Sequence, residues 1–201
     1  MDNTLAREIR VIKEISKAIV HERDIEMLLN NILAVLNREM KMLRGTITIL
    51  HGDTLSIEAS HGLDKSEMQL GHYHIGEGVT GMVAATGKPQ IVPDVRKDKR
   101  FLNRTKSRDE TAAVAFICVP IFHLDEVIGT LSIDREIEPG MDLERDAALL
   151  EIVGNITADA VSLFTREQEE HRSLREENER LRNMLIDEAP GEIVGNCREM
   201  Q

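Results

Sequence analysis

The sequence is poor in aromatic residues, cysteines and long apolar runs. Aromatic residues make up 2% of its 201 residues, with no tryptophan and one tyrosine. That is too few for a stacking platform that binds single-stranded nucleic acid. Two cysteines cannot form a disulfide framework. The longest apolar run, residues 112–122, is shorter than the roughly 18 residues of a membrane span. We therefore expect a cytoplasmic protein with no membrane partner.

Basic residues are also outnumbered. The chain has 25 lysines and arginines and 36 acidic residues, which gives a net charge of −11. This balance argues against binding nucleic acid through bulk charge, which needs a basic face. Hydrophobic residues make up 41% of the chain and charged residues 30%, a composition typical of a packed globular protein. The length fits one ordinary domain with an appendage, or two small domains.

Hydrophobic periodicity predicts an α+β fold. Residues 9–19 and 28–36 have helical spacing, and Asp24 can cap the second of these helices. The period then changes to two on either side of the Gly52-Asp53 turn, as in a hairpin. Residues 112–122 read as a central strand, residues 128–133 as its hairpin partner and residues 90–92 as a brief strand. We expect helices on a five- or six-stranded antiparallel sheet.

A long helix is predicted after Asp142, because no proline or turn cluster interrupts the chain before residues 189–191. A heptad register runs from Val153 and Thr157 to the C-terminal part, where Asn178 at an a position favours a parallel two-stranded coil. The alternative, a single helix packed on its own domain, conflicts with the polar residues 168–173 and 175–180. We expect a homodimer, with contacts through Phe164, Leu174, Asn178, Leu181 and Leu185. The predicted divisions are residues 1–141, 142–188 and 189–201.

Three motifs invite a chemical interpretation, and none of them predicts an enzyme. GEGVTG at residues 76–81 matches a dinucleotide fingerprint but lacks the βαβ context, although a helix beginning at Val79 can hold an anion. His72 and His74 could share a strand face, yet no further ligands complete a metal site. Cys118 lies in the most apolar run, where a thiol is inert. We expect no catalytic residues and no metal.

A locally basic segment, residues 95–110, is exceptional in this acidic chain. We hypothesise that Arg100, Arg104 and Arg108 pair with a carboxylate or phosphate ligand, because guanidinium groups suit planar anions. The alternative is a solvated loop whose charges face water.

The region GEGVTGMVAATGKPQIVPDV, residues 76–95, resembles the central motif of GAF domains. The hairpin before it, and CVPIF at 118–122 with VIGTLSI at 127–133 after it, look like the same family. Residues 193–201, IVGNCREMQ, look like the opening of the AAA+ ATPase domain in sigma-54-dependent transcription activators. A GAF domain, a helical linker and that opening are similar to the NifA branch of those activators.

The resemblance implies a sensor whose ligand lies between the sheet and the segments that cover it. The residues expected to bind it are Val79, Thr80, Arg100, Phe101, Arg104, Arg108 and Thr111. The implied effector is 2-oxoglutarate or another small anion, with no covalently bound cofactor. The implied partners are a second copy and the AAA+ domain of the same chain. Contacts with sigma-54 RNA polymerase and DNA are expected only through regions absent from this sequence.

Several more specific functions are known for GAF-like domains, and the sequence bears on each of them. The cyclic-nucleotide pattern of GAF domains is not matched, because Asn103 and Lys106 are not adjacent. No Cys-His pair stands where a bilin would attach. An effectorless GAF domain would serve only to dimerise and to position the ATPase. A GAF-like sulfoxide reductase would need an accessible cysteine, which Cys118 is not expected to be.

Overall fold

The computed structural model describes residues 3–22, 24–108, 111 and 113–187. The chain divides into two compact units, Met1–Phe164 and Thr165–Gln201. Most of the described secondary structure belongs to the first unit, and the second contains the later part of the last helix.

The first unit is built on a six-stranded sheet that is antiparallel throughout. Its spatial order, β3-β2-β1-β6-β5-β4, joins the N-terminal hairpin to the C-terminal one through the pairing of β1 with β6. The predicted α+β fold with an antiparallel sheet is thereby confirmed. The strands are β1 (Arg44–His51), β2 (Thr54–His61), β3 (His72–His74), β4 (Gln90–Val92), β5 (Val114–His123) and β6 (Glu126–Glu136).

In the described part of the chain, five helices accompany the sheet: α1 (Asn3–His21), α2 (Ile25–Met40), α3 (Lys65–Leu70), α4 (Gly78–Thr86) and α5 (Leu143–Asp187). The predicted cap is confirmed, because Asp24 accepts a hydrogen bond from the Met27 amide at 2.9 Å. Helix α3 was not predicted. It begins with a capping box in which Asp64 and Glu67 bond each other's backbone amides.

The main core lies between one face of the sheet and helices α1, α2 and α5. Side chains alternate along β1, so Ile47 and Ile49 enter this core while Thr46 faces the other side of the sheet. A smaller apolar cluster on that other side joins α4 to β4 and β5, and is formed by Val79, Val83, Val92, Phe116 and Cys118. The two faces of the sheet therefore differ: one covers the main core, and the other carries the smaller cluster beside α4.

The first half of α5 packs into the first unit. Val153 and Thr157 are 0% and 1% exposed there, so the beginning of the predicted heptad seam is wrong, because these side chains face their own sheet and helices. Thr157 satisfies its hydroxyl group by donating to the Val153 carbonyl at 3.0 Å. Among the described residues, no helix combines the length and the apolarity needed to cross a membrane.

In the second unit, Leu174 and Leu181 are 62% and 53% exposed and lie seven residues apart on the helix. Asn178 between them is exposed as well. The side chains of Phe164 and Leu185, and all of residues 189–201, lie outside the described part of the chain. Dimerisation through this helix therefore stays a prediction.

Candidate functional site

A pocket lies on the face of the sheet opposite α2, between the strands, the first turn of α4 and the loop of residues 95–108. Strands β1, β2, β3, β5 and β6 each contribute to it. Its lining combines two arginines and several hydroxyl groups with apolar and aromatic side chains. The lining residues are Arg44, Thr46, Ile57, Leu63, Tyr73, Val79, Thr80, Phe101, Leu102, Thr105, Arg108, Phe116 and Ser132.

The glycines of the GEGVTG motif set the position of α4 at this pocket. Gly78 has a φ angle of +62°, in the left-handed region that favours glycine. At Gly81 a Cβ atom would lie 2.2 Å from the His74 carbonyl oxygen, so only glycine allows α4 to approach β3 this closely. The result is that Val79 and Thr80, in the first turn of α4, line the pocket.

A buried carboxylate organises the charged wall of the pocket. Asp134 is 1% exposed, and it accepts hydrogen bonds from Arg108 Nε at 2.6 Å and Arg108 Nη2 at 2.9 Å. Arg44 Nη1 lies 3.6 Å from the same carboxylate. Two guanidinium groups thus face one carboxylate and leave a net charge of +1. Burial of these charges is tolerable because they are paired.

Arg108 also stacks on two aromatic rings. Its guanidinium carbon lies 4.8 Å from the centroid of the Phe101 ring and 5.7 Å from that of Phe116. The two rings contact each other edge to face, with centroids 5.1 Å apart. Both contacts are within the range of cation–π attraction. Arg108 therefore holds the loop of residues 95–108, here called the covering loop, against the sheet through its ion pair with Asp134 and its contacts with the two rings.

Hydroxyl groups supply the neutral polar part of the floor. Thr46 Oγ1 and Ser132 Oγ lie 2.7 Å apart in the pocket lining. The buried pair Thr48–Thr130, which is absent from the lining, repeats this spacing further along the same strands. Burial raises the pKa of Tyr73, with Arg108 acting in the opposite direction. Such groups can both donate and accept hydrogen bonds, so they suit a ligand with several polar atoms.

The pocket is nearly filled as it stands. The empty space among its lining residues is about 420 Å³ when the part open to solvent is included, and only about 20 Å³ of it admits the centre of a water molecule. That is room for one or two waters. Binding of a larger molecule therefore requires the covering loop or its side chains to move.

A match to the GAF domain family model spans residues 22–162, which includes the whole sheet and the pocket. This chain belongs to the GAF domain family. The GAF resemblance of the sequence is confirmed by this match.

Curated relatives of this GAF domain include nitrogen fixation proteins and Nif-specific regulatory proteins. Nitrogen fixation protein VnfA of Azotobacter vinelandii is 37% identical over 94% of the chain, and AnfA of the same organism is 34% identical over 95%. A Nif-specific regulatory protein of Herbaspirillum seropedicae is 29% identical over 100% of the chain. The chain spans only 38%, 37% and 38% of these relatives' own lengths. The predicted resemblance to GAF domains of the NifA branch agrees with these similarities.

Solved structures agree on the fold. The A. Aeolicus nlh2 GAF domain in an inactive state is 29% identical, with a TM-score of 0.70 over 79% of this chain and 97% of that one. A free methionine-R-sulfoxide reductase from Neisseria meningitidis has a TM-score of 0.68 over 81% of this chain and 92% of that one. Its identity is 22%, so this likeness concerns the fold alone.

The central thiol of the GAF domain is buried. Cys118 is 0% exposed, and burial raises its pKa to about 12. A protonated, inaccessible thiol is a poor nucleophile. Among the residues that the structure describes, no group of three or more His, Cys, Asp and Glu side chains is arranged to hold a metal.

The structure brings four of the seven predicted ligand-binding residues together, since Val79, Thr80, Phe101 and Arg108 all line the pocket. The other three are absent from the lining, and each has a contact elsewhere. Arg100 Nη2 donates to Asp98 at 2.6 Å, and Arg104 forms an ion pair with Glu77 at the start of α4. The Thr111 carbonyl accepts from Arg96 Nη1 at 3.3 Å. Ligand binding by all seven stays a prediction.

Sequence reasoning missed Arg44, Asp134, Ser132 and Tyr73. Arg44 and Asp134 are Cα partners in the β1–β6 ladder, and this long-range pairing leaves no local signal. One signal for Asp134 was present in the sequence, because an acidic residue directly follows the alternating strand residues 128–133. In the structure it ends a run of buried residues, 129–134. A charged residue at such a position normally has a buried partner.

Proposed function

We propose that this domain senses a small anionic metabolite in the pocket over β1 and β6. We further propose that it controls the AAA+ ATPase domain of a longer, sigma-54-dependent activator. Relatives that align with nearly all of this chain, among them a Nif-specific regulatory protein, support this class of protein. Sigma-54 RNA polymerase and DNA would be contacted through other regions of that protein. We propose no catalytic activity for the domain itself, because the Cys118 thiol is buried.

The observation that carries the proposal is the excess of positive charge at the pocket wall. Arg44 and Arg108 both line the pocket and share one carboxylate, Asp134. Each guanidinium has five N–H donors; Arg108 donates two of them to Asp134, and Arg44 donates one to the Ser107 carbonyl. A ligand carboxylate or phosphate would accept the remaining donors and balance the residual positive charge. The first turn of α4 adds backbone amides, because Glu77 makes no side-chain cap there.

The alternative is an effectorless domain that only dimerises and positions the ATPase. The observation that favours it is the small free volume, since about 20 Å³ cannot hold a metabolite without movement. The two functions differ in one measurable respect: a sensor gains stability from its ligand, whereas an effectorless domain gains none.

The proposed output is the long helix α5. In its first half, the side chains of Leu150 and Val153 are buried in the core of the domain. A displacement of the sheet would therefore move this helix as well. Its later part exposes Leu174 and Leu181, which would pair with the same residues of a second copy. A ligand can shift such a pairing only if it binds the two arrangements with different affinity.

The test is thermal unfolding of the 201-residue chain with 2-oxoglutarate, other small carboxylates and cyclic nucleotides, and with ATP as a control. A ligand at 100 times its dissociation constant adds about 2.7 kcal/mol, which raises the melting temperature of a domain of this size by roughly 5–10 °C. A shift with one carboxylate supports the sensor. No shift with any compound, in a folded dimer, supports the effectorless alternative.

Matched variants locate the binding. Arg44→Gln removes a pocket guanidinium while Asp134 keeps its two bonds to Arg108, so it should abolish the shift. Arg10→Gln removes an arginine of α1 that forms an exposed pair with Glu39 of α2. Arg10 lies outside the pocket lining, so this variant should leave the shift intact. Equal shifts in both variants would contradict the proposed site.

A further inference from the structure

The sensing pocket over β1 and β6 offers a ligand one cationic patch and not two. Among the lining residues that the structure describes, only Arg44 and Arg108 are charged. Both guanidinium groups converge on the buried carboxylate of Asp134, so the three groups together have a net charge of +1. One negative charge on a ligand balances this patch, whereas a second would remain unpaired in a partly desolvated site, which is costly.

The neighbouring arginines of the covering loop supply no second patch. Arg100 Nη2 lies 2.6 Å from Asp98 Oδ2, and Arg104 is paired with Glu77. Each pair is neutral, and none of the four residues belongs to the pocket lining. The far end of a dicarboxylate would therefore meet no further cation among the described lining residues.

Much of the remaining lining is hydrocarbon. Six of the thirteen lining residues have side chains without polar atoms: Ile57, Leu63, Val79, Phe101, Leu102 and Phe116. An apolar group of a ligand gains free energy when it leaves water for such a surface. A carboxylate in the same place would lose its hydration without gaining hydrogen bonds. This part of the pocket therefore favours a hydrocarbon body over a second acidic group.

The apolar lining comes from two sources, and a ligand would lie between them. Ile57, Val79 and Phe116 belong to β2, α4 and β5, whereas Phe101 and Leu102 belong to the covering loop. Because the pocket is nearly filled, the covering loop has to move to admit a ligand. Such a movement opens the edge-to-face contact between Phe101 and Phe116, whose ring centroids lie 5.1 Å apart. A hydrocarbon body replaces the contacts that both rings lose, and a carboxylate would not.

We infer that the ligand of this pocket is a monocarboxylate with an apolar body, and not a dicarboxylate such as 2-oxoglutarate. The inference rests on the proposed sensing function and gives the chemical class of the ligand. The carboxylate pairs with the guanidinium groups of Arg44 and Arg108, and the apolar body packs against Ile57 and Phe116. Phosphate monoesters fit less well, because they carry a charge of about −1.5 to −2 at neutral pH.

A polar atom next to the carboxylate also fits the pocket. The hydroxyl groups of Thr46 and Ser132 belong to the lining. Each of these residues lies two positions from a member of the cationic patch, on the same face of its strand. Hydroxyl groups both donate and accept hydrogen bonds, so they suit the oxygen of a 2-oxo or 2-hydroxy acid.

The test compares two acids that differ in one group. 2-Oxopentanoate and 2-oxoglutarate have the same carbon chain and the same 2-oxo group, and the first has a methyl group where the second has its far carboxylate. In calorimetric titrations of the unmodified chain at constant ionic strength, we expect 2-oxopentanoate to bind about tenfold or more tightly than 2-oxoglutarate. Pyruvate lacks two methylenes and should bind about fifteenfold more weakly than 2-oxopentanoate, because each buried methylene contributes about fourfold.

A variant of the apolar lining assigns the hydrocarbon body. Ile57→Ala removes part of this lining and should weaken 2-oxopentanoate binding about fivefold or more. Pyruvate binding should stay unchanged, because the carboxylate contacts are intact, and this also shows that the variant is folded. The matched control is Ile137→Ala, whose side chain is 41% exposed and lies outside the lining. It should alter the binding of neither acid.

The outcomes separate this inference from the proposed function. Binding of 2-oxoglutarate as tight as that of 2-oxopentanoate or tighter, and lost in Arg44→Gln, would overturn the inference and leave the sensing function standing. Binding of 2-oxopentanoate that is unchanged by Ile57→Ala would refute the assignment of its apolar body. Binding of none of the acids would contradict the sensing function itself, and this inference with it.

Discussion

Replacing Asp134 by Asn tests whether the buried ion cluster holds the covering loop on the sheet. The variant keeps the size of the side chain and removes the negative charge that faces Arg108 and Arg44. Removing one partner of a buried ion pair costs about 3–5 kcal/mol, because the other charge stays buried and unpaired. Asn still accepts one hydrogen bond, and Arg44 is partly exposed, so we expect a loss of about 3 kcal/mol.

The assay is urea unfolding followed by circular dichroism, with thermal unfolding in parallel. A loss of about 3 kcal/mol lowers the melting temperature of a domain of this size by about 6–12 °C. The matched control is Asp98→Asn, which breaks the Arg100–Asp98 pair in the same loop, where Arg100 is 47% exposed. Exposed pairs contribute about 0–1 kcal/mol. Equal destabilisation by the two variants would refute the structural role of Asp134.

Three further predictions concern the rest of the domain. The Arg96 guanidinium holds the pKa of Asp94 well below the ordinary value of 3.8. The contribution of this carboxylate to stability is therefore complete above pH 3.8 or so, and it declines as pH falls from there towards the lower native pKa. Urea unfolding between pH 5 and 3 should show a smaller loss of unfolding free energy in Asp94→Asn than in the unmodified chain. Thr48→Val should destabilise the fold by about 0.5–1.5 kcal/mol, because Thr130 loses one buried partner and keeps its hydrogen bond with Cys118. A double-mutant cycle with Thr130→Val should give a coupling energy clearly different from zero for the pair. In a Cys197→Ser background, Cys118 should react with a thiol reagent only at the rate of unfolding; fast reaction in the native state would contradict its burial.

Patterns among residues that are close in sequence predicted most of the fold. The cap at Asp24, the Gly52-Asp53 turn and the alternation in β1 and β2 each depend on residues close in sequence, and each is present in the structure. Helix α3 escaped prediction because it is short and none of its residues is buried, so no apolar periodicity marks it. Only the Asp64–Glu67 capping box could have revealed it.

The charged wall of the pocket could not be predicted from local patterns. Arg108 was proposed as a ligand partner from the basic loop alone, but its bonds to Asp134 depend on how the loop folds over β6. Arg44 joins them through the β1–β6 pairing, which periodicity does not specify. The heptad register failed at Val153 for a related reason: a helix face that packs on its own domain has the same apolar spacing as one that pairs with a second copy.

Ligand binding at the pocket is tested most directly by calorimetric titration. The small carboxylate that raises the melting temperature is titrated into the unmodified chain, Arg44→Gln and Arg100→Gln. Arg44 lines the pocket, while Arg100 is absent from its lining and is bonded to Asp98. We predict that Arg44→Gln weakens binding about tenfold or more, since a charged hydrogen bond contributes about 1.5–3 kcal/mol, and that Arg100→Gln binds as the unmodified chain does. Equal affinity in all three proteins, or no heat of binding in any, would contradict ligand sensing at this pocket.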